Sequence, residues 1–383
     1  MVRPMLPAPS DPDITPLRDE LREVDEAILA LVARRQDLAR KVGDAKYKRG
    51  LPIRVPSVER DVVAHARACA NELGVSAELC DELMALLLRH SCCEQEVRRR
   101  VPIDARSAAK NALVVGGFGR MGQWMRRFLE SSGYTVTLFD VRNAEGLGEP
   151  SIAVATDLVQ AARDAQFIVI ATPVLAAAGV IAQLAQSGTG ALVFDLCSVK
   201  SPLLDAIDHA QRNGLRITSV HPMFGSEVRC LAGKTVLFCE TGQGSLCDEA
   251  MALFANSAAT LVRVPMAQHD VLMTQVLGLP HLVNLVFAEA LLRSGEELRS
   301  LLQAAGTTFL AQAAVSRAVT LQGSELVRAI QAGNAAAHTS VALLREALDV
   351  CAAALTAPGH EDFHALMDRC RAYFEAADAA GPA

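Results

Sequence analysis

The sequence ALVVGGFGRMG spans residues 112–122 and carries the strongest fold signal in the chain. A short apolar, β-branched run ends in glycines, and a G-x-G-x-x-G pattern opens a predicted helix over 120–131. Such a pattern is weak alone, but a strand before it and a helix after it make it specific. Gly117 would permit a tight turn, Gly119 would let the backbone approach a pyrophosphate, and Gly122 would let the helix pack closely. The stretch therefore predicts a dinucleotide-binding fold.

The residues that follow this stretch favour NAD as the coenzyme. Asp140 follows the next predicted strand, 134–139, where a carboxylate accepts the ribose hydroxyls and repels a 2′-phosphate. Arg142 leaves NADP open, because an arginine can accommodate that phosphate. Thr172 and Pro173 follow another predicted strand, at the sheet edge where doubly wound folds bind ligands. The predicted coenzyme-binding residues are Gly117, Phe118, Gly119, Arg120, Met121, Gly122, Asp140, Thr172 and Pro173.

The hydrophobic periodicity divides the chain into three parts. Residues 1–100 contain only helical patterns, and 101–110 form a predicted linker. Residues 111–264 alternate strands with helices, which predicts a parallel sheet covered on both faces. Residues 265–383 are helical again and rich in Ala and Leu. The prediction is a multidomain protein with an all-α module, a doubly wound α/β Rossmann domain and an all-α C-terminal domain. The helices predicted outside the Rossmann domain are 13–48, 57–72, 77–99, 266–294, 296–304, 308–320 and 324–356.

Composition excludes several classes of protein. The net charge of −6 argues against a nucleic-acid partner, which would favour a basic surface. No uninterrupted apolar run approaches the roughly 18 residues of a membrane span, and the N-terminus has no apolar signal core. The ten cysteines form no C-x-x-C pair, so we expect no metal site and only reduced thiols. We therefore expect a cytoplasmic enzyme.

His221 is the strongest candidate catalytic residue. It ends the predicted strand RITSVHP, directly before Pro222, in a domain that already carries the dinucleotide signal. A lone histidine is more often structural, but an imidazole at this place could take a proton from a substrate hydroxyl while hydride leaves the same carbon. The position therefore predicts a dehydrogenase.

Four strings across residues 111–340 resemble the prephenate dehydrogenase family. They are DLCSVKS (195–201), HPMFGSE (221–227), the pair His269-Asp270, and GLPH (278–281). The resemblance implies that the substrate is prephenate and that the products are 4-hydroxyphenylpyruvate and carbon dioxide. His221 would accept a hydrogen bond from the ring hydroxyl.

The resemblance also implies the residues that bind prephenate. Ser198 would position His221 or the hydroxyl, His281 would line the substrate pocket, and Arg317 would hold the ring carboxylate. A guanidinium suits that task because its two N–H groups donate in parallel. Some fused relatives carry a second arginine seven or eight residues before Arg317, whereas here the local sequence TTFLAQAA (307–314) has no cation. Recognition of the substrate's side-chain carboxylate is therefore left open.

The first hundred residues resemble the all-helical chorismate mutases that are fused to such dehydrogenases. The strings that carry the likeness are 16–46, GLPI (50–53) and RHSCCEQ (89–95). The implied reaction is the pericyclic rearrangement of chorismate to prephenate. It needs no nucleophile, only cations and hydrogen-bond donors that hold a compact dianion and its developing charge.

The helical spacing of the candidate mutase residues agrees with this resemblance. Arg35 and Lys46 lie about three turns apart and share a face. Arg18 lies roughly 100° away from Arg35, which agrees with the family's interlocked dimer, in which the first arginine comes from the partner subunit. Glu59 resembles the family glutamate that contacts the substrate hydroxyl. The predicted mutase residues are Arg18, Arg35, Lys46, Glu59, Ser91 and Gln95.

One departure and three rival functions stay open at the level of sequence. Val58 stands where the family has an arginine, and neither Arg54 nor Arg60 shares its helix face. The helical module could therefore be a non-catalytic regulatory or dimerisation unit. The dehydrogenase could prefer arogenate, or act on simple 2-hydroxy acids. The apolar C-terminal helices predict a dimerisation domain in a homodimer, and the resemblance raises L-tyrosine as a candidate feedback inhibitor.

Overall fold

The structure is a computed structural model that describes residues 14–99, 110–142 and 152–379. Its N-terminal module consists of three helices, α1 (Thr15–Lys48), α2 (Pro56–Glu72) and α3 (Ala77–Arg99), as the sequence predicts. Helices α1 and α3 meet at Gly43, where an added Cβ would lie 2.6 Å from Cγ of Gln95. Of the predicted linker, residues 101–109 lie outside the described part of the chain, and Lys110 belongs to the first strand.

The central domain is built on one eight-stranded sheet. Its spatial order is β3-β2-β1-β4-β5-β6-β7-β8. The prediction of an all-parallel sheet is wrong for one pair, because β6 and β7 run antiparallel. Between them lies the segment 223–234, which contains no helix and so cannot make the crossover that a parallel pair requires. The strands are β1 (Lys110–Val115), β2 (Tyr134–Phe139), β3 (Ala153–Val154), β4 (Phe167–Ile170), β5 (Leu192–Asp195), β6 (Ile217–Pro222), β7 (Thr235–Glu240) and β8 (Thr260–Pro265).

Helices cover both faces of this sheet, as predicted. One apolar cluster holds Trp124, Phe128 and Phe254, and the other holds Ile168 and Ile181. Central strands such as β5 are buried at every position, because both of their faces pack against helices. The sheet edge that carries the functional residues is therefore held rigidly. The covering helices are α4 (Arg120–Ser131), α5 (Leu158–Arg163), α6 (Val174–Ala185), α7 (Leu204–Arg212) and α8 (Gly244–Phe254).

The C-terminal domain is all helical, but its helices divide differently from the prediction. The stretch 266–294 is interrupted by a π-helical turn at Thr274–Gly278. The stretch 324–356 breaks at Asn334, whose extended backbone lets its side chain donate to the Asp270 carbonyl at 2.8 Å. The last helix was not predicted. The helices are α9 (Met266–Met273), α10 (Leu279–Ser294), α11 (Leu298–Gln303), α12 (Thr307–Thr320), α13 (Ser324–Gly333), α14 (Ala337–Thr356) and α15 (Glu361–Ala379).

One stretch of the described chain, Met266–Ser294, is long and apolar enough to cross a membrane on length and composition alone. It nevertheless carries the buried polar residues His269 and Asp270. Asp270 accepts hydrogen bonds from the backbone of Lys200 and Ser201 in the α/β domain. These bonds identify the stretch as the junction between the two domains of the dehydrogenase half.

The helical module is joined to the α/β domain by a disulfide between Cys93 and Cys230. The prediction that all ten cysteines are thiols is therefore wrong for this pair. The two residues are 137 positions apart, so no spacing pattern indicates the bond. Beside it, the buried carboxylate of Glu96 accepts the backbone N–H of Leu231 at 2.9 Å.

Candidate active sites

The glycine turn after β1 is closely packed, but its tightest point lies at a different residue from the one predicted. Gly116, rather than Gly117, takes the left-handed backbone conformation, with φ +80°. An added Cβ at Gly117 would lie 2.8 Å from Leu138, and one at Gly122 would lie 2.3 Å from the carbonyl oxygen of Gly116. Gly119 is less crowded, with its nearest neighbour at 3.2 Å. The glycines therefore hold the turn and helix α4 close together and keep the backbone approachable at Gly119.

This crowding makes Gly122→Ala a test of the turn. The added methyl group collides with backbone, which cannot move aside as a flexible side chain can, so we expect a loss of about 1–3 kcal/mol in the free energy of unfolding and at least a tenfold weaker NAD affinity. Denaturant unfolding and NAD titration measure the two effects. Gly179→Ala in α6 is the matched control, because nothing lies within 4 Å of its added Cβ. Equal behaviour of the two variants would contradict the packing role of Gly122.

Asp140 follows β2 and lies at the turn, as predicted. Its carboxylate accepts the backbone N–H of Phe118 at 2.9 Å and pairs with the guanidinium of Arg142 at 2.8 Å. The hydrogen bond from Arg142 is the main reason that the pKa of Asp140 is lowered, so the carboxylate is ionised. The Phe118 N–H therefore supports Asp140 instead of pointing at a ligand, and Arg142 partly offsets the negative charge that would repel a 2′-phosphate.

A cleft of ≈ 760 Å³ opens beside the turn and is suited to a dinucleotide. Six of the nine predicted coenzyme residues line it, whereas Gly117, Phe118 and Gly122 are not among the lining residues. The buried hydroxyl oxygen of Thr172 has no hydrogen-bond partner among the described residues, and its side chain lines the cleft. An unpaired buried hydroxyl is costly unless a ligand satisfies it. The lining members of the predicted set are Gly119, Arg120, Met121, Asp140, Thr172 and Pro173.

The far wall of this cleft comes from the C-terminal domain, which the sequence did not indicate. Helix α13 contributes Glu325 and Arg328, which form an ion pair at 3.3 Å. Ser198, which follows β5, lines the cleft, and its role beside His221 stays a prediction. Helix α13 lies about two hundred residues after the glycine turn in the sequence, so no local pattern predicts that the two meet. Their contact depends on how the two domains pack.

His221 is buried at the end of β6 and contacts a second buried histidine, His269. Its Nδ1 lies 3.1 Å from Nε2 of His269, and Nδ1 of His269 lies 2.7 Å from a carboxylate oxygen of Asp270. Burial, followed by the nearby charge of Lys200, lowers the pKa of His221 well below its ordinary value. His221 is therefore neutral at neutral pH, which is the state that a general base requires.

A buried ion pair fixes the backbone around His221. The ammonium of Lys200 lies 2.6 Å from Asp195 and donates to the carbonyl of Val220 at 3.0 Å. Asp195 also accepts the hydroxyl of Ser219 at 2.5 Å. Burial acts to lower the pKa of Lys200, but Asp195, Cys239 and Cys197 together raise it above its ordinary value, so the lysine stays charged. Lys200, the lysine of the S-V-K string, thus links the end of β5, which precedes Ser198, to the end of β6, which carries His221.

The two predicted substrate-binding residues in the C-terminal domain differ in their surroundings. His281 is buried in α10, and its Nδ1 has no partner among the described residues. Arg317 lies on an exposed face of α12, does not line the cleft, and forms no hydrogen bond with the described side chains. Its neighbour Ser316 bonds to Asn284 at 2.8 Å, which fixes α12 against α10. Within one chain, Arg317 is therefore not brought to His221, and its role stays a prediction.

In the helical module, most of the predicted residues converge on one place. Arg35 donates to the hydroxyl of Ser91 at 2.6 Å, and Lys46 donates to the carbonyl of Ile53 at 2.7 Å. Gln95 is buried, and its side-chain oxygen has no partner in the described part of the chain. Burial raises the pKa of the Cys92 thiol. Four charged groups also act on this thiol and therefore lie around it: Glu59, Arg54, Lys46 and Arg35.

The structure adds Arg54 to this cluster. It precedes α2 and forms a two-point pair with Glu59, with N–O distances of 3.1 and 2.8 Å. Val58, by contrast, points outward and is 52% exposed. The sequence left Arg54 and Arg60 open as substitutes for the missing arginine, although neither shares the helix face of position 58, and Arg54 reaches Glu59 because it precedes the helix. Arg18 is exposed and outside the cluster, so its role in the mutase site stays a prediction.

Comparison with known proteins agrees with this two-part geometry. The family "Chorismate mutase type II" matches residues 17–96, and the family "Prephenate dehydrogenase, nucleotide-binding domain" matches residues 128–248. The T-protein of Enterobacter agglomerans is 30% identical over 293 residues, covering 76% of this chain and 74% of the relative. The T-protein of Haemophilus influenzae is 26% identical and covers 69% of this chain and 67% of the relative.

Solved structures support the same fold for the dehydrogenase half. A prephenate dehydrogenase from A. aeolicus, in complex with hydroxyphenyl propionate and NAD+, superposes with a TM-score of 0.58 at 19% identity, covering 70% of this chain and 99% of that one. An arogenate dehydrogenase from Synechocystis superposes with a TM-score of 0.55 at 17% identity, covering 69% and 99%. Together with the match to the T-proteins over both parts, these findings show that the chain belongs to the family of bifunctional, NAD-dependent chorismate mutase–prephenate dehydrogenases of tyrosine biosynthesis.

Proposed function

We propose that the two clusters described above are the two active sites of this enzyme. The Arg35 cluster rearranges chorismate to prephenate, and His221 with the glycine-turn cleft oxidises prephenate to 4-hydroxyphenylpyruvate and carbon dioxide. The observation that carries the proposal is the pairing of a neutral, buried histidine at the end of β6 with a coenzyme-sized cleft along the same sheet edge. The domain limits follow from the same division, at 1–100, 111–264 and 265–383.

In the dehydrogenase site, the neutral His221 takes the proton of the ring hydroxyl. NAD bound in the cleft would supply the acceptor for the hydride that leaves the same ring carbon. Ser198 orients the hydroxyl, and Gly119, Asp140 and Thr172 hold the coenzyme. As the ring carbonyl forms, the carboxylate at the opposite ring position leaves as carbon dioxide, and the ring becomes aromatic. His281 offers its unpaired Nδ1 to the substrate.

In the mutase site, no residue has to form a bond with the substrate. Arg35 and Lys46 hold the carboxylates and the ether oxygen, and the side-chain amide N–H of Gln95 donates to that oxygen. Glu59 accepts the ring hydroxyl, while Ser91 keeps Arg35 in place. The compact bound conformation and the fixed positive charge supply the rate enhancement.

Arg54 supplies the cation that Val58 cannot supply. The test is an assay with chorismate and NAD that records chorismate loss and NADH together. We expect Arg54→Ala to slow chorismate loss at least tenfold, because a charge-assisted bond is worth about 1.5–3 kcal/mol. Oxidation of added prephenate should not change.

Arg60→Ala is the control for this variant, since Arg60 is exposed one residue after Glu59. Full mutase activity in Arg54→Ala would remove the residue from the site. Arogenate offered in place of prephenate, in the same assay, separates the two substrate preferences.

We also propose a homodimer as the working unit. Helix α1 leaves apolar side chains such as Leu21 and Leu31 63% and 64% exposed in the single chain, which a second copy would cover. The exposed positions of Arg18 and Arg317 have the same explanation, since each would reach a site of the partner subunit. A cytoplasmic location follows from the substrates, and L-tyrosine remains a candidate inhibitor to be titrated in the same assay.

A further inference from the structure

The buried groups behind His221 form a continuous line that the overall reaction does not require. His221, His269 and Asp270 are 3%, 0% and 7% exposed, and their side chains touch in that order. His269 belongs to α9 of the C-terminal domain, whereas His221 ends a strand of the α/β domain. The line therefore crosses the boundary between the two domains at the catalytic histidine.

Asp270 is held as an ionised acceptor at the end of this line. Burial alone would raise the pKa of Asp270, but hydrogen bonds from His269, from the Ser201 side chain and from the backbone of Lys200 and Ser201 hold it at about 2. The Lys200 and Ser201 backbone donors lie 2.8 and 2.6 Å from its two oxygens. A carboxylate in this state can only accept, so the ring nitrogen of His269 that faces it carries a proton.

The tautomers of both histidines follow from that proton. A neutral His269 with hydrogen on Nδ1 has a lone pair on Nε2, which faces Nδ1 of His221. His221 must then carry its own hydrogen on Nδ1, and its Nε2 is left with the lone pair. Nε2 of His221 forms no hydrogen bond within the described part of the chain, so it is the nitrogen available to the substrate.

We propose that His269 is a positioning residue that fixes the reactive tautomer of His221 and accepts its Nδ1 proton during the reaction. The substrate hydroxyl gives its proton to Nε2 of His221, and His221 passes its Nδ1 proton to Nε2 of His269. The hydride leaves with its electron pair to NAD, and the C–O bond becomes a carbonyl. The positive charge then rests on His269 against the Asp270 carboxylate, 2.7 Å from its Nδ1.

This inference rests on His221 being the base, and two substitutions separate its parts. His269→Gln can still donate to Asp270 and accept from His221, so it keeps the tautomer but cannot take a proton. His269→Leu removes both abilities. We expect about a tenfold lower kcat for prephenate oxidation in the glutamine variant, as for loss of a supporting hydrogen-bond partner, and about 10²-fold or more in the leucine variant, where the tautomer is free.

Three readouts distinguish this role from a general loss of structure. The KM for prephenate and the affinity for NAD should stay near those of the unsubstituted enzyme, and the chorismate mutase activity of the same chain reports folding. The proton inventory in mixed H2O and D2O should be curved for the unsubstituted enzyme and linear for His269→Gln. In ¹⁵N-histidine NMR spectra, His221 should keep its Nδ1–H tautomer in the glutamine variant and lose it in the leucine variant.

His209→Gln is the matched control, since this histidine is exposed on α7. Full turnover in either His269 variant, or a linear proton inventory in the unsubstituted enzyme, would overturn the inference while leaving His221 as the base. Full turnover in a His221 variant would instead overturn the proposed active site itself. The two failures are therefore distinguishable.

Discussion

Replacement of His221 by asparagine is expected to lower kcat for prephenate oxidation by about 10²–10⁴-fold, the usual contribution of a general base. The asparagine side chain can fill the space and bond to His269, but it cannot accept a proton from the ring hydroxyl. Binding of NAD should not change, because His221 is absent from the lining of the cleft that would hold the coenzyme. Steady-state NADH formation and calorimetric NAD titration measure the two quantities.

The same assay contains its own controls. Chorismate consumption by the His221→Asn chain should equal that of the unsubstituted enzyme, because the helical module carries out that reaction. His209→Asn, at an exposed position, should leave both activities intact. If His221→Asn turned over prephenate at more than a tenth of the normal rate, His221 would be a structural residue, and the base would have to be sought elsewhere along the sheet edge.

Replacement of Arg35 by alanine is expected to lower the chorismate mutase kcat/KM by about 10²–10³-fold, the cost of removing one donor that stabilises developing charge. Arg35 is held in place by Ser91 and by the Leu87 carbonyl, at 2.6 and 3.0 Å, so its guanidinium is already positioned before the substrate arrives. Prephenate oxidation by the same chain should be unaffected. Arg34→Ala is the control, since Arg34 is exposed next to it.

Mixed dimers extend this experiment to the proposed shared site. If Arg18 serves the partner's pocket, chains carrying Arg18→Ala and Arg35→Ala are each inactive alone, but one intact site forms in every mixed dimer. Random mixing makes half of the dimers mixed, with one of two sites intact, so about a quarter of the mutase activity should return. No recovery after mixing would argue that all the mutase residues come from one chain.

Local patterns in the sequence predicted much of this protein, because the interactions behind them are local. Glycine spacing with a strand before it and a helix after it indicated the coenzyme turn, and periodicity placed α1, α2 and α3 within two residues of their observed ends. The Arg35–Ser91 contact and the burial of His221 agree with the predicted sites. The prediction nevertheless put the tight turn at Gly117, whereas Gly116 takes the left-handed conformation, because adjacent glycines cannot be distinguished by composition.

Other features depend on which distant segments pack together, and no neighbouring residues encode them. The direction of β7 follows from a segment without a helix, and the break at Asn334 follows from its bond to the Asp270 carbonyl across the domain boundary. The Cys93–Cys230 bond arises for the same reason. The sequence indicated His269 only as part of the His269-Asp270 pair. Its contact with His221, 48 residues away, exists because helix α9 docks against the end of β6, and a long-range packing contact of that kind leaves no periodic signal in the chain.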